Sequence, residues 1–207
     1  MGNQAHRIGA CILLVFILSH LGVHLTALLG ISAHQSSLTF VQSVYRNPVG
    51  ETLLVLVIVM QIISGAAKLK RTGRSGQSGL SGWALVQVIS GAYLLFFLTV
   101  HTSAAVYTHT LFGLETDFYW AAGSLHFAPI KYAFAVYYFL AILAFFSHLA
   151  AACHYIFPTF GVLAKALPVV GAAIGALIIA AFSGALYEIE IPENVEDYYE
   201  RYFPLDP

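Results

Sequence analysis

Residues Trp83 to Tyr107 read WALVQVISGAYLLFFLTVHTSAAVY, 25 residues without Asp, Glu, Lys or Arg. At helical rise, about 20 apolar residues cross the hydrocarbon core of a bilayer. Unpaired backbone groups are costly in lipid, and a run this long is wrong for a barrel strand, so the stretch is a transmembrane helix. Working outward, four further stretches have the same character: Ile8 to Gly30, Val49 to Ala67, Tyr132 to Phe157 and Pro168 to Tyr187. The fold class expected is all-α: a bundle of five transmembrane helices over residues 1–187, with an acidic, tyrosine-rich tail at 188–207. Pro48 suits the start of the second helix, where the first amide is unpaired in any case. Pro158 and Pro168 are expected to punctuate the connection between the last two helices.

Composition agrees. The chain of 207 residues is 59% hydrophobic and only 9% charged, with a mean hydropathy of +0.79. So little charge excludes a soluble enzyme domain, a disordered chain and a nucleic-acid partner. The two cysteines, Cys11 and Cys153, lie in apolar runs and give neither a disulfide framework nor a zinc site. Cys11 ends a stretch similar to a lipoprotein box, and Ile31-Ser32-Ala33 is similar to a cleavage site. The first has almost no apolar segment before it, and the second follows a long span with two histidines inside, so the first span is expected to be retained.

Charge placement sets an expected orientation. Lys68, Lys70, Arg71 and Arg74 follow the second span, and Arg7 and Lys165 fall on the same side of the membrane. By the positive-inside rule that side is the cytoplasm or the mitochondrial matrix. Seven of the ten acidic residues lie from Glu188 onward, on the opposite side. The expectation is N-in, C-out, in a bacterial or mitochondrial inner membrane.

Nine histidines are the oddity of so apolar a chain. His6, His34, His109 and His126 lie at or beyond span ends and read as interfacial polar residues. His20, His24, His101 and His148 lie inside spans, where ionisable side chains point to function. His154 is nearer a boundary. Neutral imidazoles on two helices can ligate a haem from opposite faces, provided they lie at similar depth. His101 is about six residues from the end of its span, and His20 and His24 are about ten and six from theirs. The first and third spans run in the same direction, so these residues can meet. The other reading open at this point is hydrogen bonding between helices.

The third span also carries Gln87-Val88-Ile89-Ser90-Gly91 and then His101, ten residues past the glycine. This resembles the Gln-Arg-x-(Ser/Thr)-Gly…His pattern of the membrane cytochrome b subunit of succinate dehydrogenase and fumarate reductase, in its five-helix, single-polypeptide form. His6-Arg7-Ile8-Gly9 followed by His20-Leu21, and Phe146-Ser147-His148-Leu149, are similar to that family's first and fourth helices; the likeness covers roughly the first 155 residues. The resemblance implies haem b as cofactor, quinone as substrate, membrane lipid as surroundings, and flavoprotein and iron–sulfur subunits as partners. It implies His20 and His101 as the outer iron ligands, with His24 in reserve, and His148 as half of an inner pair.

The chain departs from the pattern at two places. Gln61 stands where the second helix should supply a ligand, which favours one haem over two and leaves Gln61 to hydrogen-bond His148. Val88 replaces the arginine, leaving Arg7 and the Lys68–Arg74 cluster as propionate partners. Gln87, Ser90, Trp83 and Tyr93 form a candidate quinone site, with interfacial anchoring and close packing as the alternative. Glu51 reads as a proton relay or as a helix-dipole partner. The other function compatible with the sequence is a haem-free membrane scaffold.

Overall fold

The computed structural model describes residues 2–74, 79–80, 82–157, 159 and 161–203, in which every regular element is helical. The helices are α1 (Gly2–Leu25), α2 (Ile31–Tyr45), α3 (Pro48–Arg74), α4 (Trp83–Phe112), α5 (Phe118–Ser124), α6 (Ile130–Ile156), α7 (Gly161–Phe182) and α8 (Glu193–Tyr202), with a 3-10 turn at Thr26–Leu29. Five are long and apolar enough to cross a membrane: Gln4–Leu29, Pro48–Gly73, Trp83–Phe112, Ile130–Ile156 and Gly161–Phe182. The protein is an all-helical integral membrane protein.

The spanning helices form a ring in the order α1, α3, α4, α6, α7 and back to α1, each packed against its two neighbours. Several of the expected boundaries differ: the first span starts at Gln4, the second runs on to Gly73 and the fifth ends at Phe182. The fifth helix begins at Gly161, and Pro168 lies inside it instead of marking its start. Membrane helices tolerate an internal proline because neighbouring groups and local adjustments satisfy the freed carbonyl. Pro158 falls outside the described residues. The fourth span's partner on the ring, α4, continues beyond Tyr107 to Phe112.

Between α1 and α3 the chain inserts a helix that sequence periodicity did not separate from a loop. Gly30 has φ +111°, a conformation open to glycine, and it turns α2 back along α1. Tyr45, at the end of α2, reaches Phe16 edge-on at 5.4 Å. Asp117 caps α5, its carboxylate accepting from the amides of Tyr119 and Trp120 at 2.9 and 3.2 Å. The tail is not loose as far as it is described. Helix α8 buries Val195 and Tyr199 against Leu114 and Trp120, and the Tyr199 hydroxyl donates to the Trp120 carbonyl at 2.6 Å.

The Gly-x-x-x-Gly of the last span is a packing feature. A Cβ at Gly171 would stand 2.6 Å from Phe146 Cβ, and one at Gly175 would stand 3.2 Å from the Phe139 ring. Helices α6 and α7 approach this closely only because the glycines are there. Gly171→Val should therefore lower stability by about 1–3 kcal/mol through overpacking, read from unfolding in mixed micelles. Gly161→Ala, where a Cβ meets nothing within 4 Å, should leave it nearly unchanged.

Candidate functional site

The interior of the ring is where the histidines go. His20 Nε2 lies 3.1 Å from His24 Nε2, and His24 Nδ1 lies 3.3 Å from His34 Nε2. The His20 and His101 rings face each other from α1 and α4 with centroids 6.2 Å apart. His101 is stacked on Phe97 at 5.0 Å and flanked by Trp120 and Tyr138. The four imidazoles form one row from His101 through His20 and His24 to His34.

His34 is the member that sequence reading missed. It lies beyond the first span and was expected to be an interfacial polar residue, but it is 1% exposed. The Gly30 turn folds α2 inward and places His34 between Phe118 and Phe182. The only local signal is a glycine between two histidines ten residues apart, which becomes readable once the turn is known. Burial and the neighbouring His20 pull its pKa down to about 4, against the opposing pull of Asp117. Its Nδ1 is buried with no hydrogen-bond partner.

His101 is different in kind. Among the described residues neither of its nitrogens, nor Nδ1 of His20, makes a hydrogen bond, and none is sealed from open space. His101 also lines a cleft of about 430 Å³ walled by Trp120, Phe134, Tyr137 and Tyr138. Two imidazoles on opposite sides of one metal, at bonds of about 2 Å, hold their centroids roughly 6 Å apart. The His20–His101 separation is close to this, so His101 and Nδ1 of His20 could hold such a group between them, whereas both nitrogens of His24 are engaged, by His20 and by His34. No group of three or more His, Cys, Asp or Glu able to enclose a bare metal ion occurs among the described residues.

At the other end of the ring the expected pairing is replaced. Gln61 does not meet His148. Its Nε2 lies 3.5 Å from His6 Nε2, while His6 Nδ1 lies 2.8 Å from Ser64 Oγ. His148 instead pairs with Ser90, Nδ1 to Oγ at 3.1 Å, and packs against Gly91, where a Cβ would stand 3.1 Å from its ring. The reason is helix order: α1 packs on α3 and so claims Gln61, and α4 packs on α6 and so claims His148. These residues do not fit a second axial pair. His6, read as a span-end residue, is thus part of an interior hydrogen-bond set.

The four quinone candidates do not share one free surface. Ser90 Oγ donates to the Val86 carbonyl at 2.6 Å, Tyr93 donates to the Tyr137 carbonyl at 2.9 Å, and Trp83 stacks on His154 at 5.2 Å. Gln87 makes no side-chain hydrogen bond among the described residues. Glu51 lies in the first turn of α3, consistent with a dipole role. Arg46, between α2 and α3, holds Glu115 at 2.8 Å and donates to His109 Nδ1 at 3.2 Å. His109 therefore has an ionic setting and not only an interfacial one.

No protein-family model matches this chain, and neither a curated protein nor a solved structure is detectably similar to it.

The pH response of His34 follows from its position. The unfolded imidazole takes a proton near 6.5 and the folded one only near 4. Between those values the unfolded state binds more protons, so stability falls as pH falls from 6.5 to 4. His34→Gln should flatten that acid limb relative to the wild type, measured as thermal unfolding in detergent at stepped pH.

Proposed function

We propose that the chain is a haem b-binding membrane anchor and electron-transfer subunit of a quinone-linked oxidoreductase. The observation that carries this reading is the unpartnered His101 imidazole facing His20 across the ring at 6.2 Å. A histidine that joins helices uses at least one of its nitrogens to do so, as His148 does with Ser90 through Nδ1. His101 leaves both of its own unused in an apolar, aromatic setting. His101 with His20 would hold the iron, His24 standing in reserve at the expense of one of its hydrogen bonds, and Phe97 and Tyr138 pack against the His101 ring. Haem b, when bound, supplies one-electron transfer; the chain supplies ligands and exclusion of water.

One haem is proposed instead of two, because Gln61 and His148 are engaged elsewhere. Quinone is the proposed electron partner, with Gln87 as its leading polar contact, at the same end of the bundle as Arg7 and the Lys68–Arg74 segment. Substrate oxidation or reduction would belong to flavoprotein and iron–sulfur subunits, since the chain carries two cysteines and no dinucleotide motif. The basic end is assigned to the cytoplasm or matrix by the positive-inside rule, in a bacterial or mitochondrial inner membrane.

A second reading is favoured by a specific contact. The His20–His24–His34 hydrogen bonds give three imidazoles a purely structural use, as in a haem-free scaffold subunit. The two readings separate in one experiment. Protein expressed with ample haem should show a reduced-minus-oxidised cytochrome b spectrum with one haem per chain. His101→Ala should lower haem retention about tenfold or more, and His20→Ala and His24→Ala should differ from each other. A colourless wild type establishes the scaffold reading.

A further inference from the structure

At one end of the bundle Arg7 and Lys68 have no carboxylate partner among the described residues. The hydrogen bond from His6 to Ser64 joins the first turns of α1 to α3 one turn before Lys68. Arg7 adjoins His6, and Arg71 follows Lys68 by three positions, so the charges of Arg7 and Arg71 both act on Lys68. The nine acidic side chains among the described residues lie at the far end: Glu51, Glu115, Asp117 and six from Glu188 to Glu200. No described carboxylate stands beside Arg7 and Lys68, a setting suited to an anion from another molecule.

Depth says which kind. Arg7 and Lys68 are not on a projecting loop; they fall inside the apolar spans 4–29 and 48–73, within two turns of their ends. Long basic side chains at that depth extend to the level of lipid headgroups. Along both helices beneath them the surface is greasy: Ile8 is 61% exposed and Ile12 47% on α1, Ile63 65% and Val59 45% on α3. A cationic corner above an apolar face matches an amphiphile with a phosphate head and acyl tails. A soluble acidic protein would meet the charges but not the face.

We infer that the α1–α3 corner binds the phosphodiester of an anionic phospholipid through Arg7 and Lys68, with Arg71 contributing to the field. Each cation near a membrane surface attracts such lipids by about a fivefold preference. This assignment rests on the membrane fold and is independent of the haem reading.

The test is lipid selectivity of the full chain in phosphatidylcholine vesicles, probed with spin-labelled phosphatidylglycerol and spin-labelled phosphatidylcholine. The motionally restricted fraction should favour phosphatidylglycerol by about fivefold or more at low salt. Arg7→Gln with Lys68→Gln should bring the ratio near parity. Arg7→Lys with Lys68→Arg should preserve it, and so should Arg201→Gln in α8 at the opposite end of the bundle. Equal restriction of both lipids in the wild type, or an unchanged ratio in the double glutamine variant, overturns the inference and leaves the corner to a soluble acidic partner. Displacement of the labelled lipid by inorganic phosphate, at an ionic strength where chloride has no effect, would assign the site to free phosphate and overturn the lipid source.

Discussion

An imidazole inside a bilayer has no water to satisfy it, and that single constraint organises this protein's interior. Each buried histidine has to find a partner on another helix, on its own helix, or on something not covalently part of the chain. His148 finds Ser90, His6 finds Ser64, and His24 is held between His20 and His34. These bonds stitch α4 to α6, α1 to α3 and α1 to α2. The apolar packing around them, from Leu21 and Ala27 to Phe118 and Phe182, keeps the polar row dry. Among the histidines at the centre of the ring, His101 alone uses neither nitrogen, and that is what gives the haem proposal its footing.

The spans were legible because hydropathy is a local property. Trp83–Tyr107 announces a helix by its composition alone, and the five spanning helices follow from the same reading. What hydropathy does not contain is neighbour order. The expectation that Gln61 would meet His148 took helix order from a resemblance, whereas the ring puts α1 beside α3 and α4 beside α6. The polar partners then follow the ring. His34 was misjudged for a related reason: its burial depends on Gly30 reversing the chain, and a turn's direction is not encoded in the apolar count of the segments it joins. Pro168 shows the limit of soluble-protein punctuation rules, since an apolar helix packed on its neighbours runs through it.

Charge is segregated along the bundle as firmly as the histidines are buried within it. The described carboxylates gather at the end where α8 packs over Leu114 and Trp120, and Arg7, Lys68, Lys70 and Arg71 lie at the other. The acidic end satisfies part of its charge internally, through Arg46 with Glu115 and Gln35 with Asp117. The basic end has no such internal partner among the described carboxylates. The two ends therefore present opposite charge to their surroundings, the acidic one only partly offset by Arg46.

The cleft beside His101 has a mechanical side as well. Volume that side chains do not fill is what hydrostatic pressure acts upon, because unfolding eliminates it and the system shrinks. A bundle with a half-open cleft of about 430 Å³ in one wall has less side-chain packing to resist compression there than around its apolar core. A group that occupied that void would stiffen the bundle, and its departure would be felt as a change in compressibility before any helix moved.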